Sequence, residues 1–322
     1  MNENRVQRHS IFRRAVALAA TLACALGASA ALAQQPLRLI VPVGPGSGGD
    51  TYARYFAQKL APVLSQPVVV ENRPGADTWI AVQALLQGPA DGSAALLISP
   101  GSMITNPMIN KELPYVPLRD IRPLIVYSRS EGILVAPAGS NLKTMADVVK
   151  VGHERVLKAA DYGLIYKLAL ADIKVQGKLQ LEHITYKAVA QSISDLVGGH
   201  VDLLLLDVSG ATQLVRNGKM QAIATTGVKR HPDHPTVPTV AETFPGFANY
   251  AWTGFGVRSN TPEAAAQRLE KAMQQVVGSG DYRGFAQANG NNEVVALDRK
   301  QIEQLIETDT VKFRELIKGL PN

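Results

Sequence analysis

The chain has 322 residues, 46% of them hydrophobic, and 33 basic against 27 acidic side chains give a formal charge of +6. Arg5, Arg8, Arg13, Arg14 and Glu3 all fall in the first 33 residues, so the remaining chain carries only +3 and its charge gives no ground for a nucleic-acid partner. Cys24, the only cysteine, lies in the same segment, which excludes a disulfide framework or thiolate metal site from everything after it.

The four arginines lead into an apolar run over 15–28 and a small-residue site, Ala31-Leu32-Ala33. This is the pattern of an export signal over residues 1–33, cut before Gln34. The run falls short of the roughly 20 residues that a membrane span needs. Arg13-Arg14 lacks the bulky residue that the twin-arginine route wants two places later, and Thr21 stands where lipid attachment at Cys24 would want leucine. The expected location is the periplasm. An exported chain meets little ATP or reduced nicotinamide, so no cofactor is expected.

After the signal, short β-branched runs alternate with helical patterns. Strands are expected over 37–41, 68–70, 94–98, 124–127, 133–135, 201–206, 222–225 and 252–257. Helices are expected over 50–64, 80–86, 145–151, 192–197 and 211–216. Two amphipathic helices, 262–277 and 299–317, close the chain, the first opened by Thr261-Pro262-Glu263. The continuous apolar run Leu203-Leu204-Leu205-Leu206 is what a parallel sheet covered on both faces requires. The fold class is α/β, with helices on both sides of mostly parallel sheets. The length fits two domains, and no polar linker separates them, so the chain is expected to cross between lobes more than once.

The glycine-rich turn from Pro42 to Asp50 joins the first strand to the first helix. Such a turn brings backbone N–H groups to the positive end of a helix and makes an anion site; a tight turn with no ligand is the bland reading. Gly44, Gly46 and Gly49 also fit a dinucleotide fingerprint, with Glu71 at the end of the second strand, but Pro45 stiffens the turn and export removes the cofactor. Asp207 stands at the C-terminal end of an apolar strand, where open α/β sheets bind ligands; capping the helix near Ala211 is the equal alternative. His231 and His234 form a pair, but Pro232 and Pro235 set them in a loop, read as solvated and not as a metal site. No nucleophile-and-base pair is recognisable, so no enzyme activity is expected.

The spaced motifs Pro45-Gly46 with Asp50 and Ala53-Arg54, Glu71-Asn72-Arg73-Pro74-Gly75-Ala76, Asn106-Pro107, Leu113-Pro114-Tyr115, Tyr186-Lys187, Gly198 to Asp202, Pro238 to Glu242 and Trp252-x-Gly254 together resemble the Bug, or TctC-like, family of extracytoplasmic solute-binding proteins. The resemblance covers essentially the whole chain after the signal. It implies a two-lobed, hinge-closing fold of the periplasmic binding protein type, with lobe 1 over 34–135 and 255–322 and lobe 2 over 136–254. The implied function is capture of a small carboxylate between the lobes for a tripartite tricarboxylate-type membrane transporter; the alternative reading is a component that presents the solute to a membrane sensor kinase, and the expected solute is a small carboxylate or amino-carboxylate. A monomer is expected. In the implied site, the loop with Gly46, Ser47, Gly48 and Asp50 and the loop with Ala76, Asp77 and Thr78 hold one carboxylate. Ser99, Ser102, Thr105 and Asn106 add polar contacts, and Asp161, Tyr162 and Asp207 close from the other lobe.

The chain departs from the family's pattern in two loops. Asp77-Thr78-Trp79 stands where further glycines are usual, and Asp161 to Leu168 replaces a Gly-x-Gly-Ser/Thr-x-x-His-Leu pattern. Thr185 and Ala188 replace the proline and glycine expected around Tyr186-Lys187. If they face the cleft, Asp77 and Asp161 would repel a second carboxylate and Trp79 and Tyr162 would stack on a ring or cation. The alternative has Trp79 packed within its lobe and both acids turned to solvent.

Overall fold

A computed structural model of the chain describes residues 35–110, 112–186, 189–289 and 294–318, with Asp77 given by its backbone alone. The signal segment, Lys187 and Ala188 lie outside the described residues. Everything below lies in the unit that begins at Leu37.

The first sheet contains β1 (Leu37–Val41), β2 (Val68–Asn72), β3 (Ala94–Ile98), β9 (Tyr250–Arg258), the first part of β4 (Ile121–Pro137) and β10 (Val294–Leu297). Its order is β2-β1-β3-β9-β4, with β10 also on β4. β1 pairs in parallel with β2 and β3, whereas β9 runs antiparallel to both β3 and β4. The second sheet takes the far end of β4 with β5 (Leu157–Asp161), β6 (Leu181–Thr185), β7 (Leu203–Asp207) and β8 (Met220–Thr225). There β5, β6, β7 and β8 share one direction, and β4 opposes them between β7 and β8.

Helices cover both faces of each sheet. In the first lobe, α1 (Gly48–Leu64) presents Tyr52, Phe56, Leu60 and Leu64 along one side, and these meet α7 (Glu263–Val277) and α8 (Gly280–Ala288) over one face. α2 (Trp79–Gln87) and the C-terminal α9 (Arg299–Lys318) cover the other. Each fully buried Phe or Leu adds about 1.5–3 kcal/mol of apolar transfer. In the second lobe, α3 (Met145–Glu154) and α4 (Leu164–Gly177) cover one face, and α5 (Val189–Val197) and α6 (Val208–Arg216) the other. α3 starts with Thr144 and Asp147 in a reciprocal capping box. α7 begins at Glu263, with Pro262 as its cap, one place later than Thr261-Pro262 suggests.

One strand joins the lobes. The sequence suggests two strands at 124–127 and 133–135, but β4 runs unbroken for 17 residues, pairing with β9 through Glu131 and with β7 from Gly132 onward. Leu164, Ile165 and Leu168 of α4 pack into the first lobe's core beside Met103, Ile104 and Trp252. Lys312 of α9 pairs with Asp172 of α4 at 2.8 Å on the same side.

Candidate functional site

The β1–α1 turn is built around a buried carboxylate. Gly46 has a φ of +80°, which glycine adopts without cost. Ser47 caps α1, its hydroxyl accepting from the Asp50 N–H at 3.3 Å and donating to the Gly44 carbonyl at 2.7 Å. Asp50 turns inward, 2% exposed, and accepts from the Gly46 N–H, the Arg54 Nε and the Asn72 Nδ2, each at 2.9 Å. The Arg54 bond comes first among the causes that lower its pKa to about 2. Asp50 therefore positions the turn and has no acceptor directed at a solute. The N–H groups of Gly48 and Gly49, in the first turn of a 17-residue helix, have no intrahelical partner.

The second expected loop is strained. Gly75, Ala76 and Thr78 all have positive φ, +115°, +45° and +76°. A β-branched residue there is a true outlier. The backbone keeps the conformation that suits glycine, although the side chain at 78 is threonine. Thr78→Gly is therefore expected to raise stability by about 1 kcal/mol, the left-handed penalty outweighing the added freedom of the unfolded chain. A urea midpoint equal to or below that of the parent protein would contradict this. Asn106 donates to the Thr78 hydroxyl at 3.4 Å, and Ser102 exchanges hydrogen bonds with Ser99. Thr105 donates to the Pro100 carbonyl at 3.5 Å. Ser102 and Thr105 are buried within their own turn. Trp79 stacks on Tyr115, with ring centroids 5.7 Å apart and planes 4° from parallel, and packs against the core that receives Leu164 and Ile165. The lobe-packed alternative for Trp79 is the one found.

On the facing lobe, Asp207 caps α6: it accepts from the Gly210 N–H at 3.2 Å and the Ser209 hydroxyl at 2.5 Å. The Tyr162 hydroxyl donates to its other oxygen. Burial, then the neighbouring Asp207 charge, pushes the Tyr162 pKa up, so the phenol stays protonated as a donor. Asp161 is 0% exposed, so the alternative that turns it to solvent is not the one found. His231 and His234 are corrected: both are buried at 6% exposure. His231 Nδ1 accepts from the Asp233 N–H at 3.2 Å, and His234 Nε2 bonds the Thr212 hydroxyl at 2.9 Å. Glu71 is held by Arg38 and Arg73.

Gly48 and Asp207 meet at a cleft of about 250 Å³ between the lobes. Tyr52, Tyr127, Tyr166 and Thr253 also line it. Ser128 and Ser130 bring two more hydroxyls from β4, and Ser209 and Asn289 stand at its edge. The volume lies just under the roughly 300–1,000 Å³ of drug-sized pockets. Of the expected residues, Gly48 and Asp207 line this cleft, whereas Gly46, Ser47, Asp50, Ala76, Thr78, Ser99, Ser102, Thr105, Asn106, Asp161 and Tyr162 are not among those lining it. The side chain of Asp77 lies outside the described residues. Sequence reasoning missed the β4 residues; the signal was there, since Ser128-Arg129-Ser130-Glu131 interrupts an apolar run. The pairing shifts between Val126 and Ser128, and this bulge lets consecutive Tyr127 and Ser128 face the same cleft.

Two α/β lobes sharing a strand, with a small cleft where they meet, define a two-lobed solute-binding protein. Residues 52–321 match the TctC family, described as tripartite tricarboxylate transporter family receptors, and the chain belongs to that family. A UPF0065 protein from the tcbD–tcbE intergenic region of Pseudomonas sp. strain P51 is 29% identical over 299 residues, covering 89% of this chain and 87% of the relative. A TctC solute binding protein from Polaromonas superposes with a TM-score of 0.79 at 21% identity, covering 88% of this chain and 98% of that one. MatC from Rhodopseudomonas palustris, solved with bound malate, superposes with a TM-score of 0.71 at 23% identity over 88% and 98%.

Proposed function

We propose that this protein captures a small carboxylate-bearing solute in the cleft between its lobes and presents it to a tripartite tricarboxylate-type carrier. The observation that carries this reading is the cleft itself, where the N-terminus of α1 faces the second lobe across hydroxyl-bearing strands. A solute carboxylate accepts from the Gly48 and Gly49 N–H groups, at the positive end of the helix. The malate in the MatC structure supports the choice of a carboxylate. The basic and apolar start of the chain supports export to the periplasm, and no described helix is long and apolar enough to cross a membrane. Lobe 1 then comprises 34–135 and 255–322, lobe 2 comprises 136–254, and β4 acts as the hinge.

A thermal-shift screen of the purified protein against mono-, di- and tricarboxylates tests the reading. A ligand at one hundred times its Kd adds about 2.7 kcal/mol, several degrees for a chain of this size. If no carboxylate raises the melting temperature, the protein does not do what is proposed.

A further inference from the structure

We infer that the solute is an amino-monocarboxylate, its carboxylate at the start of α1 and its ammonium group at Asp207; this rests on the solute-binding reading above. The charge in the cleft is the first reason. Among the described residues lining it, Asp207 alone carries a charge, and it is an acid. The adjoining cavity of about 440 Å³, which shares Asp207, Ser209 and Asn289, adds Asp233 and, among the described residues, no basic side chain. A dicarboxylate spanning the cleft would set one carboxylate against Asp207 with no arginine, lysine or histidine among the described residues lining the space to offset it. Like charges brought together out of bulk water cost several kcal/mol. An ammonium group gains what the second carboxylate loses.

The carboxylate end has independent support. Tyr127 is fully buried, lines the cleft and has no hydrogen-bond partner for its hydroxyl among the described residues. An unsatisfied buried hydroxyl is costly, so it calls for an acceptor supplied by the bound molecule. Burial raises its pKa well above the usual value, which keeps it a donor at neutral pH. The carboxylate thus meets backbone N–H groups and a phenol, with no cation. The solute's cationic end meets a carboxylate already oriented by Tyr162, Ser209 and Gly210.

Calorimetry with succinate, 4-hydroxybutanoate and 4-aminobutanoate compares three ends on one chain length. 4-Aminobutanoate is expected to bind at least about tenfold more tightly than succinate, the size of one charge-assisted hydrogen bond, with 4-hydroxybutanoate between them. Asp207→Asn keeps a residue equally good at capping α6 and should bring the three within about threefold of one another. Tyr127→Phe should weaken all three by a similar factor. Succinate binding as tightly as 4-aminobutanoate overturns the inference, as does an order unchanged by Asp207→Asn. If none of the three binds while another carboxylate shifts the melting temperature, the inference falls and the solute-binding reading stands. If no carboxylate acts at all, both fall.

Discussion

Gly254→Ala is expected to destabilise the protein by at least about 3 kcal/mol, the upper end of what overpacking costs. A Cβ at this position would sit 2.2 Å from the Ile125 carbonyl oxygen and 3.1 Å from both the Ile125 carbonyl carbon and the Val126 Cα. All three are backbone atoms, so no rotamer change relieves the overlap. The backbone cannot retreat cheaply either, because β9 lies between β3 and β4 and is hydrogen-bonded on both sides. Moving it would break the ladder at the bulge that brings Tyr127 and Ser128 to the cleft, so solute binding should fall along with stability. Gly139→Ala is the control, since nothing lies within 4 Å of its Cβ position. It should stay within about 0.5 kcal/mol of the parent protein. Urea midpoints check both: equal midpoints for the two variants would mean that the close approach at Gly254 carries no cost.

The contrast between Gly254 and Tyr127 shows which features could be read from sequence. Gly254 belongs to a spaced motif, and its reason is local: two strands approach too closely for a side chain. The strands β3 and β7 are equally legible, because burial on both faces leaves an unbroken apolar run. β5, α4 and β6 were not expected as elements. α4 is Leu-Ile-Tyr-Lys-Leu-Ala-Leu-Ala-Asp-Ile-Lys-Val-Gln-Gly, apolar around much of its circumference because it serves the second lobe's core and also packs into the first lobe's. A helix buried on several sides loses the one-faced period by which helices are recognised. The polar stretch over 128–131 reads as a break between two strands for a related reason. Its serines face the cleft, while Arg129 and Glu131 line a separate cavity of about 400 Å³ with Tyr250, so polarity here marks cavities and not a turn. Asp50 shows the converse: the motif singled out the right turn, but only the structure shows that its carboxylate holds the turn together. That role also predicts acid sensitivity. With a pKa depressed from 3.8 to about 2, Asp50 stabilises the fold above pH 3.8 and loses that contribution as pH falls through 2.

Asp161→Asn is expected to do the opposite of most core substitutions and stabilise the protein, by about 2 kcal/mol at neutral pH. Asp161 ends β5 without solvent exposure; one oxygen accepts from the Thr185 hydroxyl at 3.3 Å, and the other has no partner among the described residues. Burial is the largest influence and raises its pKa from 3.8 to about 6, while the Thr185 bond, the Lys167 charge and the Gly163 N–H offset only part of that. Because the folded state holds the proton more tightly, the stability due to this group is fully present below pH 3.8 and is lost as pH rises through 6. At neutral pH the fold bears the cost of an ionised carboxylate in a poorly solvated place, about 1.4 kcal/mol for each tenfold gain in proton affinity. The amide is neutral at every pH, so the advantage of the variant should grow between about pH 4 and 7 and nearly vanish below that range. Urea unfolding of both proteins across this range measures it. A difference that does not change with pH would mean that ionisation of Asp161 is not its source. The same burial separates Asp161 from solute choice: it does not line the cleft, so Asp161→Asn should leave the order of binding among succinate, 4-hydroxybutanoate and 4-aminobutanoate unchanged, whereas Asp207→Asn should not.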